Sequence, residues 1–316
     1  MSKAEVCVDC VKRKARYLYK EYNRKVERDH FTLVLCFSRP WCVSYIFKSL
    51  TEMRIPLDKC HLLIYDNTDN YLLQKALTQK IELLKGVFAS LKYYKSYRRG
   101  GAVIIGMRHQ TFAQSKLPSI QEMYKELTKH IRTELFINIE DDTYCKSDTI
   151  MKLLNGYARL KERLGKDLFL SGIESSRSYD ENVIPILAVY WIEEKDGRIV
   201  KKFSADPNRR TTIRIHACGH YCFITTKRIW DLGWKYPHDK TDHVKHFAMD
   251  VFHTYHLHKK GVPVYADFSI RTQHMHAAPG RIIFWKPSKS RPMLDIYLEE
   301  YGVWGHNIIV PKELRR

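Results

Sequence analysis

The chain has 316 residues, 44% of them hydrophobic, which is enough to bury the core of one large domain or of two closely fused ones. A net charge of +19 and a pI near 9.5 call for an anionic counterpart: nucleic acid, an anionic membrane face or a phosphorylated substrate. The eight cysteines are scattered rather than spaced as a disulfide scaffold, the N-terminus is polar, and no apolar run nears the ~20 residues that span a bilayer; a reduced, soluble, cytoplasmic protein is expected.

Residues 1–30 read as a basic amphipathic leader. Val11, Ala15, Leu18, Tyr22 and Val26 recur at helical steps, while Lys12, Arg13, Lys14, Arg16, Lys20, Arg24, Lys25 and Arg28 fill the other faces. The stripe either packs on the body of the protein or holds the helix against phosphates of a polymer or lipid.

From Phe31 the texture changes. "FTLVLCF" is a short apolar run consistent with a strand buried on both faces, and it ends in Ser38-Arg39-Pro40. "WCVSYIFKSLTEM" predicts a helix, and "CHLLIYD" a second buried strand ending at Asp66 to Asp69. The helical "YLLQKALTQKIELL" precedes a weaker strand, "LKYYKSY", which ends at Arg98-Arg99-Gly100-Gly101. Another helix, "SIQEMYKELTKHI", leads into "ELFINI", which runs straight into Glu140-Asp141-Asp142. Three adjacent carboxylates repel one another, so the cluster is either a solvated turn or the seat of a cation.

Alternating strands and helices imply a mainly parallel sheet with helices on both faces. In such sheets ligands bind beyond the carboxyl ends of the strands, which is where the four polar clusters fall. Two acidic and two basic tips suit a nucleotide whose phosphates meet arginines and a metal. There is no glycine-rich dinucleotide turn and no phosphate-loop GK[ST] motif, which argues against a nicotinamide dehydrogenase and a P-loop ATPase.

The second half is less regular. "DLFLSGIESSRSY" and "IPILAVYWIEEKDGRIVKKF" predict strands, the latter broken by a turn at Asp196-Gly197. "RIHACGHYCFITTKRIWDLGW" predicts one strand running into a short helix. On that strand His216, Cys218, His220 and Cys222 would share a face. Two uses are open: a zinc site completed by Cys7 and Cys10 of "CVDC", or core cysteines with Gly219 and His220 near an acceptor. "MDVFHTYHLHKKGVPVYADFSIRTQHMH" predicts a helix closed by Gly261 and two strands, the second ending in His274 and His276.

In this order the motifs resemble those of a GT-A glycosyltransferase, nearest to the family-two type that uses nucleotide-diphospho sugars; the resemblance runs from about Phe31 to His276. It implies an α/β GT-A fold, a mainly parallel sheet flanked by helices, with a nucleotide-sugar half over 31–150, an acceptor half over 151–280 and a basic tail over 281–316. It also implies that Ser38, Arg39, Asp66, Arg98, Arg99 and Asp141 lie against the nucleotide sugar. Glu140-Asp141-Asp142 would stand as a Glu-x-Asp variant of the Asp-x-Asp motif, with Mn²⁺ or Mg²⁺ held by Asp142, by Glu140 through a water or the ribose, and by His274 or His276. Asp250, the acid kept where the family has Glu-Asp, would be the catalytic base of an inverting displacement.

Basic segments interleaved with Tyr93, Tyr94, Tyr97, Trp191 and Trp285 suit an extruded base or a single strand, so the favoured acceptor is DNA carrying a hydroxymethylated pyrimidine, with His220 and Trp191 beside it. The alternative acceptor is a cell-surface or lipid-linked glycan built at the cytoplasmic membrane face. A metal-dependent phosphoryl-transfer enzyme and a non-enzymatic nucleic-acid-binding protein are the readings from other classes.

Overall fold

The computed structural model describes residues 30–67, 71–96, 122–175, 187–195, 198–202, 211–234, 249–278 and 281–286. The leader before His30, Cys7 and Cys10, the Arg98 to Gly101 loop and the tail after Lys286 lie outside the described residues.

Each apolar run of the first half becomes a strand. β1 (Phe31–Phe37), β2 (Cys60–Asp66), β3 (Ser90–Lys95) and β4 (Leu135–Glu140) lie side by side in the order β3-β2-β1-β4, all parallel. Helices α1 (Val43–Glu52), α2 (Tyr71–Leu84) and α3 (residues 122–130) fall between them in the chain. Strand alternation explains the unbroken apolar runs. Leu33, Leu35 and Phe37 pack on one face with Ile46 of α1 and Leu77 of α2, while Val34, Leu63 and Tyr65 pack on the other with Met123 and Leu127 of α3. Each such side chain, once fully buried, contributes about 1.5–3 kcal/mol.

The second half extends the same sheet. β6 (Phe169–Ile173), β9 (Thr212–Arg214), β11 (Cys222–Thr226) and β12 (Val264–Arg271) complete eight strands in the order β3-β2-β1-β4-β11-β6-β12-β9. β11 is antiparallel to both β4 and β6, and β12 is parallel to β6. Two reversals restore direction, so β6 and β12 run the same way as β4 and their carboxyl ends reach the same edge. Two small sheets flank this one. β10 (Ala217–Cys218), β7 (Val189–Lys195) and β8 (Arg198–Lys202) form one; β14 (Arg281–Trp285), β13 (Gln273–Ala278) and β5 (Thr143–Tyr144) form the other. Helices α4 (Thr149–Leu164), α5 (Lys227–Gly233) and α6 (Met249–Lys259) complete the described elements.

Two features depart from the sequence expectations. Helix α4 had no counterpart among the predicted elements, although Ile150, Leu153, Leu154, Tyr157 and Leu160 form a buried stripe at helical spacing and Gly165 closes it at a φ of 64°. "HACGHYC" is not one strand. Residues 217–218 pair with β7 in a side sheet, whereas 222–226 pair with β4 and β6 in the central one. Between them the buried Asn138 amide donates to the His220 carbonyl (3.0 Å), and the Glu140 N–H to that of Tyr221 (3.0 Å). The chain changes sheets there, so the four residues do not share a strand face. The six described cysteines are free, and among the described residues no helix is long and apolar enough to cross a membrane.

Candidate active site

The carboxyl ends of β1, β2, β3 and β4 form a row. Cys36 lies opposite Glu140, Phe37 opposite Asp66, and Asp66 opposite Lys95. The tips are tied together: the Asn67 N–H donates to the Phe37 carbonyl (2.9 Å) and the Ser96 N–H to the Asp66 carbonyl (2.8 Å). Because β6 and β12 point the same way, Glu174, Ser175 and Thr272 arrive on this edge from the second half.

Asp141 straps β1 to β4. Its Oδ2 accepts from the backbone N–H groups of Ser38 (2.6 Å) and Arg39 (2.7 Å) and from the Ser38 hydroxyl (3.2 Å), and its Oδ1 is paired with the Arg39 guanidinium. Both Asp141 oxygens are thus engaged by the tip of the neighbouring strand, and the residue is 3% exposed. The second guanidinium prong of Arg39 stands 3.3 Å from Asp142 Oδ2.

Asp142 faces His274 across the two halves of the chain. Residues 142–143 meet the start of β13, where the Met275 N–H donates to the Asp142 carbonyl (2.7 Å) and His274 pairs with Thr143. This sets His274 Nε2 3.1 Å from Asp142 Oδ2. The other ring nitrogen, Nδ1, lies 2.9 Å from the Ser175 carbonyl, which can only accept, so Nδ1 carries the hydrogen. A neutral imidazole then turns a lone pair towards a carboxylate. A cation between them, either a proton on Nε2 or a metal ion, removes that clash. His276 sits two residues on, opposite Ile283 and about 7 Å farther along the strand, and it is His274 that meets the acid.

Behind this pair lies a residue that sequence reasoning missed. Glu174 is 1% exposed; Thr272 Oγ1 donates to its Oε1 (3.2 Å), and its Oε2 stands 3.7 Å from His274 Nδ1. Burial, then Asp142 and Glu140, push its carboxyl well above the ordinary range. The signal was present: "FLSGIE" repeats the form of "LFINIE", an apolar strand ending in an acid.

Glu140 links Asp142 to Asp250. Burial first, then the charges of Asp142 and Asp250, push its carboxyl up to about 8, and the Tyr124 hydroxyl lies 3.4 Å from its Oε1. Asp250 occupies the first turn of α6, where the helix dipole favours a carboxylate. That turn is pinned by Thr254, whose hydroxyl donates to the Cys218 carbonyl (2.8 Å) and accepts from the Cys218 N–H (2.9 Å). Gly219 follows directly. A Cβ at this position would lie 3.0 Å from Asp250 Oδ2 and 2.7 Å from the Tyr221 ring, so the acid approaches the backbone where a side chain is missing.

The remaining predicted site residues fall as follows. Asp66 is fully buried and accepts from Tyr93 (2.9 Å) and Lys95 (3.2 Å). Trp191 lies on β7, with its indole N–H donating to the Arg214 carbonyl (3.2 Å). Arg98 and Arg99 are outside the described residues. His220 is 1% exposed, packed among Tyr124, Phe223, Trp230 and Trp234, and bonded to His253 (3.1 Å), so its ring sits in the core.

The donor set fits a hard divalent ion. Two ligands at ~2.1 Å and a right angle to each other stand about 3 Å apart, which is the Asp142–His274 spacing. Carboxylate and phosphate oxygens suit Mn²⁺ or Mg²⁺, the imidazole tilts the choice towards Mn²⁺, and the ring is oriented through its second nitrogen as metal-bound histidines are. Among the described residues no three His, Cys, Asp or Glu side chains close on one point. The remaining ligands of such an ion would be water and phosphate oxygens, as is usual for this class.

No family model matches the chain, and no curated protein does. Among solved structures it is similar to GalNAc-T7 with UDP, GalNAc and Mn²⁺, at 10% identity and a TM-score of 0.54, over 82% of this chain and 46% of that one. It also matches the mannosyltransferase PcManGT from Pyrobaculum calidifontis in complex with GDP-Man and Mn²⁺, at 11% identity and a TM-score of 0.44, over 83% of this chain and 64% of that one. The chain thus spans about half the length of the first and under two thirds of the second. The likeness is one of fold: a large, mainly parallel α/β sheet flanked by helices, of the GT-A glycosyltransferase type.

Proposed function

We propose that the chain is a metal-dependent glycosyltransferase, moving a sugar from a nucleotide-diphospho donor, a UDP-sugar first among them, to a hydroxyl acceptor. The supporting observation is the facing pair of Asp142 and His274 at the carboxyl edge of a GT-A-type sheet, a carboxylate oxygen and an imidazole nitrogen 3.1 Å apart and placed to share a cation. The complexes of GalNAc-T7 with UDP and Mn²⁺ and of the mannosyltransferase with GDP-Man and Mn²⁺ agree with this reading.

In this scheme residues 31–150 carry the donor and 151–280 the acceptor. Asp142 and His274 would hold Mn²⁺ or Mg²⁺, and Glu140 would reach it through a water or the ribose. The bound ion supplies positive charge where the departing diphosphate accumulates negative charge. Arg39 faces the diphosphate from the tip of β1, and the base lies at the tip of β2, where Asp66 is held by Tyr93 and Lys95. Asp250 takes the proton of the acceptor hydroxyl as that oxygen attacks the anomeric carbon. The carbon–oxygen bond to the diphosphate breaks with its electron pair on the phosphate, and a single displacement inverts the anomeric centre.

The acceptor carried forward is a hydroxymethylated pyrimidine in DNA, supported by the net charge of +19. The test has two stages. Release of UDP from UDP-sugars without acceptor should require Mn²⁺ and stop with chelator; release indifferent to chelator sinks the metal-dependent reading. A mass increase on hydroxymethylated oligonucleotides, across a panel of nucleotide sugars, should follow. Mass gained only by lipid-linked glycans replaces the acceptor and keeps the enzyme class.

A further inference from the structure

The guanidinium of Arg39 already occupies the oxygen that a metal would need. One prong pairs with Asp141, and the other stands 3.3 Å from Asp142 Oδ2, the atom that faces His274 Nε2 at 3.1 Å. The two carboxylates differ in what they do for the arginine. Asp141 also accepts from the Arg39 backbone N–H (2.7 Å), so it would keep its hold if the contact with Asp142 were lost. The arginine side chain is 23% exposed and that of Asp142 1% exposed, so of the two it is the arginine that reaches solvent.

A monovalent and a divalent cation on one carboxylate oxygen repel each other strongly in a buried setting. An anion brought in with the metal relieves the conflict, because a planar fork that releases a carboxylate finds an equivalent partner in a phosphate. We propose that Arg39 is a resident counter-ion that yields Asp142 to the divalent metal when a diphosphate takes up its guanidinium, so that metal and donor bind as a coupled pair. The inference rests on the transferase reading above and adds to it the residue that enforces the coupling. By linkage the effect is reciprocal: each ligand tightens the other by the same factor.

The test measures Mn²⁺ binding to the full chain by electron paramagnetic resonance, with and without UDP. The native chain should bind Mn²⁺ weakly alone and on the order of 10-fold or more tightly with saturating UDP. Arg39→Met keeps the aliphatic stem and removes the charge. It should bind Mn²⁺ more tightly than the native chain in the absence of UDP and gain less from adding it. Equal UDP-free affinities for the native and Arg39→Met chains overturn the exchange and leave the transferase reading standing. Absence of Mn²⁺ binding by the native chain, with or without UDP, removes both. Arg39→Lys carries the same comparison if the methionine variant does not fold. A single ammonium cannot span both carboxylates, so its UDP-free affinity should also exceed the native one, and identical values overturn the proposal.

Discussion

Asp142 Oδ2 and His274 Nε2 lie 3.1 Å apart although 132 positions separate them in the chain. The ring is fixed from behind by the Ser175 carbonyl, so Nε2 is turned towards Asp142 and a proton or a metal ion can join the two. Asp142→Asn keeps the shape and one acceptor oxygen while removing the charge. Mn²⁺-dependent UDP release should fall by about 100-fold or more, with the melting temperature little changed. Full activity of this variant removes Asp142 from the site.

Asp250 lies in the first turn of α6, which the grip of Thr254 on Cys218 ties to the chain before Gly219. Asp250→Asn cannot accept the acceptor's proton. Transfer should drop by roughly 100- to 10,000-fold, whereas UDP and Mn²⁺ affinities stay at native values. Equilibrium titration beside steady-state transfer separates the two. A parallel loss of donor binding would assign Asp250 to the donor instead.

Gly219 makes room for that carboxylate. In Gly219→Ala the new methyl meets Asp250 Oδ2 and the Tyr221 ring, so one of them must shift. Turnover should fall about 10-fold or more, because small misplacement of a reacting group is costly, while Mn²⁺ binding at Asp142 and His274 is retained. Native kinetics in this variant would show that the position of Asp250 does not matter to the chemistry.

His220 and His253 form a buried neutral pair. His253 Nε2 donates to the Trp230 carbonyl (2.9 Å), which leaves Nδ1 to accept from His220 Nε2. Burial holds the His253 imidazole down to about 3 and His220 well below its ordinary value. Between about 3 and 6.5 the unfolded chain therefore binds a proton that the folded His253 refuses, and stability is lost as pH falls through that window at ~1.4 kcal/mol per pH unit for each such proton. His253→Gln does not titrate there. The stability advantage of the native chain over this variant should shrink steadily from pH 6.5 to pH 4 in urea unfolding, and a constant difference would contradict a neutral buried pair.

Glu140 gives the opposite handle. Its carboxyl, pushed up to about 8, holds a proton at neutral pH in the metal-free chain, and an incoming cation favours losing it. Mn²⁺ affinity should rise as pH climbs from 6 to 8, and binding at pH 7 should release a proton, seen as a buffer-dependent heat in calorimetry. In Glu140→Gln the pH dependence over that range should flatten. Unchanged dependence would exclude Glu140 as the proton's source.

Much of the first half was legible because its signals are local. Strands buried on both faces must be apolar at consecutive positions, so "FTLVLCF", "CHLLIYD" and "LFINI" announce themselves, and a parallel sheet delivers their polar ends to one edge. The stripe of α4 is equally local, with Ile150, Leu153, Leu154, Tyr157 and Leu160 at helical spacing. The "HACGHYC" error has a different origin. Alternation carries no mark of a chain changing sheets, which depends on Asn138 and Ala188, far away in sequence, taking up the hydrogen bonds around residues 219–220.

The sequence by itself determined the strand runs, the parallel sheet and the acidic tip of β4, because hydrophobic period and turn chemistry act over a few residues. Only the tertiary structure decided which partner each acid meets. Asp141 is turned into a strap by the neighbouring tip of β1, Asp142 is paired with a histidine from β13, and Glu174 and Asp250 are drawn in from strands and helices of the other half. Neighbouring carboxylates look alike along the chain. Their roles diverge because the fields and hydrogen bonds that separate them come from residues a hundred positions away.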